Sequence, residues 1–121
     1  DHIICVRIKP KDKKYREPKL RNAINIEIEN IRDAAAIMRK AQFGMTYDGL
    51  IHHVLAGFKI PAVIIHVGLV SKKVLGYDGN IYYEYDHPLT PCGRTYDCDH
   101  CSDANRSITV DMIYESCKEF L

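Results

Sequence analysis

The sequence predicts a single α+β domain with a mostly antiparallel sheet, two central helices, a β-hairpin, a long cysteine-rich loop and a C-terminal helix. Three observations predict this fold class: alternating apolar residues in the first third, capped amphipathic segments in the middle, and an Asp-Gly turn between two strand-like runs. The 121 residues are close to the commonest domain size, so we expect one domain over residues 1–121. An apolar share of 46% argues against disorder.

Three apolar segments have the pattern of β-strands. Residues 3–8 and Ile24–Ile28 alternate apolar and polar side chains, which is the period of a half-buried strand. A polar, lysine-rich loop at residues 10–18 separates them. Residues 61–69 are apolar almost throughout, and this indicates a strand at the centre of the sheet.

Capping residues mark the starts of three helices. Asn30 is a good N-cap, Asp33 suits the helix dipole in the first turn, and Gly44 supplies a stop. Thr46 is expected to cap a second helix, and Thr109 is expected to open the C-terminal helix.

The dipeptide Asp78-Gly79 predicts a β-hairpin, because both central residues of a type I′ turn need positive φ. It lies between two strand-like runs, residues 73–77 and 80–85. Four tyrosines mark these runs and, if exposed, would form a face for a partner or for stacked bases: Tyr77, Tyr82, Tyr83 and Tyr85.

Opposite charges concentrate at the two ends of the chain, although the formal net charge is only +1. Residues 7–21 form a basic N-terminal region, whereas the residues after Tyr77 are predominantly acidic. A basic region attracts nucleic acid or an acidic protein, and it is also typical of a solvated loop. We therefore expect nucleic acid or a protein as partner. We expect no membrane, because no apolar run approaches the ~20 residues of a membrane span.

A segment rich in cysteine, histidine and aspartate carries the clearest chemical signature. The spacing Cys98-x-x-Cys101 is that of a zinc knuckle, in which a tight turn presents two thiolates to one metal ion. Cys92 precedes this pair, and Cys117 on the last helix is expected to be the fourth ligand. Four cysteine ligands would leave no open position, so the zinc would be structural.

Two histidines border on this set of four ligands. His87 is an alternative fourth ligand, whereas His100 lies inside the knuckle and is expected to strain to reach the same ion. Zinc bound through Cys117 would tie the long loop of residues 86–107 to the last helix, and a loop of this length needs such a staple. An iron–sulfur cluster is a further possibility for the same cysteines.

The cysteines also allow outcomes without metal. Five is an odd number, so a secreted, disulfide-stapled interaction domain would keep one free thiol, and all five can also stay reduced. Clustered cysteines favour metal in a reducing compartment, so we expect a cytoplasmic or nuclear location before a secreted one. Cys5, in an apolar run, is expected to be a buried small hydrophobe.

A small enzyme is the alternative function. Residues 86–105 resemble the HNH endonuclease pattern through Asp86, His87, Gly93, Cys98, Cys101 and Asn105. The resemblance lacks the first cysteine pair of that family, and it implies that His87 activates water beside a divalent metal ion. From the residues themselves, Glu84, Asp86 and His87 cluster at a strand end where acid–base groups can converge. These three are the candidate catalytic residues of a metal-dependent or acid–base hydrolase or nuclease.

Residues 24–57 resemble a ribbon-helix-helix DNA-binding unit, in which a strand is followed by a helix, a turn and a second helix. The resemblance implies that outward residues such as Asn25 read the major groove. Glu27 and Glu29 would face phosphate and repel it.

The remaining histidines carry weaker signals. His66 lies in an apolar strand and is expected to be a core histidine with satisfied hydrogen bonds. His52 and His53 are adjacent, so on a helix they point about 100° apart and are not expected to share one site.

Overall fold

The structure is a computed structural model that describes residues 3–11, 18–66, 70–94, 96 and 98–121. These residues form a mixed α/β arrangement of five helices and two parallel sheets. The chain divides into two compact units, Asp1–Lys40 and Ala41–Leu121. The expectation of one domain over residues 1–121 stays a prediction.

The first unit contains two parallel strands and a helix. Strands β1 (Val6–Pro10) and β2 (Ile24–Ile28) pair along their whole length, and helix α1 (Ile31–Met38) follows. The prediction of β2 is confirmed, whereas β1 begins later than the alternation of residues 3–8 predicts. Asn30 caps α1 as expected, because its side-chain oxygen accepts a 3.0 Å hydrogen bond from the backbone N–H of Asp33.

The second unit is a three-stranded parallel sheet with helices between and after the strands. Its elements are β3 (Gly44–Tyr47), α2 (Leu50–Gly57), β4 (Ala62–His66), α3 (Lys72–Leu75), β5 (Ile81–Glu84), α4 (Asp99–Ser107) and α5 (Val110–Lys118). The strand order is β3-β4-β5, and the C-terminal helix α5 begins after Thr109 as predicted. In the part of the chain that the structure describes, no helix is long and apolar enough to span a bilayer.

Strand β4 is the centre of this sheet. Ala62, Val63 and Ile64 have no exposed surface, so the prediction of a central strand is confirmed. Residues 67–69 of the predicted strand lie outside the described residues. A strand buried on both faces needs apolar side chains at successive positions, which explains the continuous apolar run.

Helices cover both faces of the sheet. Side chains alternate along a strand, so Tyr82 and Tyr83 point to opposite faces. The hydroxyl of Tyr82 lies 2.9 Å from Nε2 of His52 on α2, whereas the hydroxyl of Tyr83 donates a 2.6 Å hydrogen bond to the carbonyl of Met112 on α5. Helices α2 and α5 therefore lie on opposite faces, in a helix–sheet–helix layering.

The prediction of a mostly antiparallel sheet is wrong, because both sheets are parallel. The predicted β-hairpin is the source of the error. Its turn is present, with Gly79 at φ +83°, but residues 72–75 form helix α3 instead of a strand. The Asp78-Gly79 turn therefore connects a crossover helix to β5, and a crossover makes the strands on either side parallel.

Two further segments differ from the predictions. Residues 44–47 are strand β3, and helix α2 begins at Leu50 instead of after Thr46. The ribbon-helix-helix order is wrong for the same reason, because β3 separates α1 from α2. Within the predicted loop of residues 86–107, residues 99–107 form helix α4.

Candidate metal centre

The N-terminus of helix α4 brings two cysteines together. Cys98 is the N-cap residue, with extended backbone at φ −143° and ψ 156°, and Cys101 lies in the first turn. Unpaired backbone N–H groups and the helix dipole favour negative charge at this end of a helix. The Cys98-x-x-Cys101 spacing therefore places two sulfur atoms at the positive end of the α4 dipole.

Cys92 approaches the same point from the preceding segment. Gly93 adopts a left-handed φ of +62°, a conformation that side chains rarely permit, and the chain turns sharply after Cys92. The backbone N–H of Arg94 donates a hydrogen bond to the Cys92 thiol, which lowers the pKa of Cys92. The Sγ atoms of Cys92 and Cys101 are 3.5 Å apart, well beyond the length of a disulfide bond.

His100 supplies the fourth donor atom. Its Nδ1 lies 4.0 Å from the Sγ of Cys101, and its Nε2 lies 2.9 Å from the hydroxyl of Thr90. Because the Thr90 oxygen can accept the Nε2 hydrogen, the lone pair of Nδ1 is left on the side of the sulfur atoms. The expectation that His100 would strain to reach the ion is therefore wrong.

The four donor atoms lie close enough together to hold one metal ion. Those of Cys92, Cys98, His100 and Cys101 all lie within 4.8 Å of one another. Two thiolates about 2.3 Å from a tetrahedral zinc ion are about 3.8 Å apart. The separation of 3.5 Å between the sulfur atoms of Cys92 and Cys101 is close to that value.

Three thiols this close together cannot all ionise without a compensating positive charge. The pKa of Cys101 is raised to about 12, first by its hydrogen bond to Cys98 and then by its hydrogen bond to Cys92. The pKa of Cys92 shifts in the opposite direction, so one thiol of the group loses its proton readily and another resists. A divalent cation removes this conflict, because a thiol that coordinates a metal is deprotonated outright.

The structure places the other predicted ligands outside this cluster. Cys117 lies on α5, where burial raises the pKa of its thiol, and it lines an apolar cavity of about 420 Å³. His87 stacks on Tyr85 with ring centroids 5.4 Å apart, and its ring centroid lies 5.0 Å from that of His100. His100, and not Cys117, lies with Cys92, Cys98 and Cys101 within metal-binding distance. The signal for this exchange was the histidine directly before Cys101.

The three candidate catalytic residues do not form one hydrogen-bonded group in the described parts of the chain. Oε1 of Glu84 accepts a 3.0 Å hydrogen bond from the backbone N–H of Lys72. Nδ1 of His87 accepts a 3.1 Å hydrogen bond from the backbone N–H of Leu89, and Asp86 is exposed. An enzyme with His87 at its site stays a prediction.

The predicted basic region, residues 7–21, is described only in part, because residues 12–17 lie outside the described residues. Lys9 forms a 2.9 Å ion pair with Glu27, and Lys11 forms a 2.7 Å ion pair with Glu29. The ammonium group of Lys9 lowers the pKa of Glu27. These pairs reduce the positive charge that this edge offers to a phosphate.

No disulfide joins any of the five cysteines, all of which lie in described segments. Cys5 is exposed, so the expectation of a buried small hydrophobe is wrong. It directly precedes β1, and none of the residues of β1 or β2 is fully buried.

The cluster of Cys92, Cys98, His100 and Cys101 is identified by its geometry and its donor chemistry alone. Comparison with protein-family models, with curated proteins and with solved structures finds no match to this chain.

Proposed function

We propose that this chain is a small binding module stapled by a structural zinc ion. The observation that supports the proposal is the convergence of three thiols and one imidazole on a single point. Four protein donors complete a tetrahedral shell and leave no position for water or substrate, which is typical of structural zinc. The ligands are Cys92, Cys98, His100 and Cys101.

The zinc ion would order an irregular segment. Between β5 and α4, the described residues form neither helix nor strand, and such a segment has few backbone hydrogen bonds of its own to hold it. Zinc joins this segment, through Cys92, to the first turn of α4. It thereby holds the adjoining surface in one conformation for a partner, without involving the last helix.

Metal replacement in single-cysteine variants tests the ligand set. Cobalt(II) bound by cysteine gives thiolate-to-metal charge-transfer absorption. We expect this absorption in the wild type and its loss in Cys98→Ser, because one sulfur ligand is removed. Cys117→Ser is the matched control and keeps the absorption. Loss of the band in Cys117→Ser, or an unchanged band in Cys98→Ser, would contradict the proposed site.

A thiol count under denaturing, non-reducing conditions separates the metal site from disulfides. After treatment with a chelator, we expect all five cysteines to react. A count lower by two or four would support the secreted, disulfide-stapled domain instead.

We infer a protein partner before a nucleic acid. The ion pairs of Lys9 and Lys11 with glutamates weaken the case for phosphate binding. The apolar cavity beside Cys117 supports a protein partner, because Met45 and Tyr47 at its edge are 58% and 59% exposed. Exposed apolar surface of this kind marks interaction sites.

Binding to random-sequence DNA and RNA at several salt concentrations tests this preference. If any binding to DNA or RNA is observed, we expect its affinity to change little as the salt concentration rises. Affinity that falls steeply as salt rises, and that is reduced in a Lys9→Ala, Lys11→Ala variant, would support a nucleic-acid partner.

A further inference from the structure

A second group of metal-binding side chains lies at the carboxyl edge of the β3-β4-β5 sheet. Asp48 directly follows β3, His66 is the last residue of β4, and His52 lies in the first turn of α2. The register places Tyr47 beside Ile65, so the next residues, Asp48 and His66, lie side by side at this edge. Open parallel sheets bind their ligands at this edge.

His66 presents a buried nitrogen that has no hydrogen-bond partner in the described part of the chain. The residue is 1% exposed, and its Nδ1 lies 2.9 Å from the carbonyl oxygen of Val70. A carbonyl only accepts, so Nδ1 carries the hydrogen and Nε2 offers a lone pair. Among the described residues, Nε2 has no hydrogen-bond partner. The expectation of a core histidine is right about burial and wrong about satisfied hydrogen bonds.

The carboxylate of Asp48 lies across a short gap from this nitrogen. Its Oδ1 is 3.8 Å from Nε2 of His66, which is too far for a hydrogen bond. Both atoms are electron-rich, so a cation or a proton donor between them would satisfy both. The side chain of Asp48 is 24% exposed, so the gap is open to solvent on the carboxylate side.

His52 offers a second nitrogen to the same carboxylate. Its Nδ1 lies 3.1 Å from Oδ1 of Asp48, and its Nε2 lies 2.9 Å from the hydroxyl of Tyr82. That hydroxyl is also 3.4 Å from the carbonyl of Tyr77, which gives its own hydrogen another acceptor. The same hydroxyl accepts hydrogen bonds from the backbone N–H of Tyr77 and the side-chain amide of Asn80, so it donates its own hydrogen to Nε2, and Nδ1 donates to Asp48. For Nδ1 to bind a metal ion, its hydrogen has to move to Nε2, with the hydroxyl turned to the carbonyl of Tyr77 in place of one of these bonds.

His53 lies beside this group. The ligand atoms of Asp48, His52 and His53 are all within 4.8 Å of one another, and the two imidazole rings stack with centroids 5.1 Å apart. The expectation that the adjacent histidines do not share one site stays a prediction, although their ligand atoms lie close together at Asp48. The two imidazole rings stack although neighbouring residues on a helix point about 100° apart.

We propose that Asp48, His52 and His66 bind a divalent transition-metal ion. A metal ion about 2.1 Å from each donor places neighbouring donors about 3 to 4 Å apart. The measured separations from Oδ1 of Asp48, 3.1 Å to His52 and 3.8 Å to His66, have this size. Imidazole donors favour zinc, iron, cobalt or nickel over magnesium and calcium.

This site differs in kind from the thiolate cluster. Two imidazoles and one carboxylate leave coordination positions open, and the partly exposed Asp48 admits solvent to them. An ion held there can bind water or a small oxygen-containing ligand, which the closed four-donor site cannot. The site is independent of the proposed structural zinc ion because the two share no residue.

Cobalt(II) titration of the metal-free, full-length chain tests the proposal. We expect the wild type to bind two equivalents, one with thiolate charge-transfer absorption and one without it. Asp48→Asn keeps the size of the side chain and removes its charge. We expect this variant to bind only the one cobalt(II) ion that gives thiolate charge-transfer absorption. Asp111→Asn, at an exposed position on α5, is the matched control and keeps both equivalents.

His66→Ala removes the unpartnered nitrogen and is expected to weaken the same equivalent at least 10-fold. If His66→Ala does not fold, the result for Asp48→Asn decides whether the site exists. The charge-transfer band and the circular dichroism of Asp48→Asn show that this variant is folded. A wild type that binds only the one cobalt(II) ion with thiolate charge-transfer absorption would overturn the proposal. Binding of two full equivalents of cobalt(II) by Asp48→Asn would overturn the proposal as well. Loss of the charge-transfer band alone would contradict the structural zinc site and leave this one supported.

Discussion

The two ring nitrogens of His100 have different surroundings, and this difference determines how the residue can bind zinc. Nε2 lies against the hydroxyl of Thr90, so Nδ1 is directed to the sulfur of Cys101. The sequence shows that His100 lies between two cysteines. It does not show the orientation of the ring, because Thr90 belongs to a separate part of the irregular segment.

Replacing Thr90 tests this orientation. Thr90→Val keeps the shape of the side chain and removes the hydrogen-bond acceptor of Nε2. We expect zinc affinity to fall about 10- to 100-fold, the usual effect of losing an outer-shell partner. Competition with a chromophoric chelator measures the change. Thr90→Ser retains the hydroxyl and serves as the control; equal affinities of Thr90→Val and wild type would contradict the orienting role.

The reactivity of Cys117 gives a test that depends on pH. Burial raises the pKa of Cys117, so at a given pH a smaller fraction of it is thiolate, which is the reactive form. We expect iodoacetamide to modify the exposed Cys5 first, and the rate at Cys117 to rise only at higher pH. Peptide mass spectrometry of the zinc-loaded chain follows both residues. Equal rates at neutral pH would contradict this expectation.

At the scale of elements, Gly44 shows why the start of the second helix was wrongly predicted. A glycine after an amphipathic segment is a usual helix stop, and this one opens strand β3 instead. The side chain of Leu55 on α2 occupies the space where a Cβ of residue 44 would lie. The glycine is therefore needed for packing of α2 on the sheet, a contact that the local pattern does not reveal.

Two glycine substitutions test this contact. Gly44→Ala forces the new methyl group against Leu55, and we expect it to destabilise the fold by about 1–3 kcal/mol. Gly57→Ala is the matched control at the end of α2. No atom lies within 4 Å of its added Cβ, and a lower entropy of the unfolded chain is expected to leave stability unchanged or raise it by up to about 1 kcal/mol. Urea unfolding measures both, and equal effects would contradict the packing role.

At the scale of the whole molecule, the proposed zinc site links metal binding to folding. Cys92 and helix α4 supply ligands from separate parts of the chain, so only the folded state holds the complete site. Any ligand that binds the folded state alone stabilises it. The second unit should therefore depend on metal for part of its stability.

Thermal unfolding with and without a chelator tests this linkage. With free zinc at about 1,000 times its dissociation constant, the stabilisation is about 4 kcal/mol. We expect the chelator to lower the melting temperature of the wild type and of Cys117→Ser. Cys92→Ser is expected to show a much smaller difference, and an equal difference in that variant would contradict the linkage.

The apolar run of β4 and the turn at Asp78-Gly79 gave opposite indications of topology. The first is typical of a strand in a parallel sheet, and the second of an antiparallel hairpin. The structure contains both features, since the turn follows helix α3 and leads into β5. Strand direction therefore depended on the crossover, which no short pattern encodes.

The sequence by itself determined the features that neighbouring residues control. These are the cap at Asn30, the alternation of β2, the central position of β4 and the pairing of Cys98 with Cys101. Tertiary structure alone decided strand direction and which distant side chains meet. His100 joins Cys92, and Asp48 joins His66, because helices and parallel strands bring them together. Local patterns reflect the geometry of one element, whereas these contacts depend on how several elements pack.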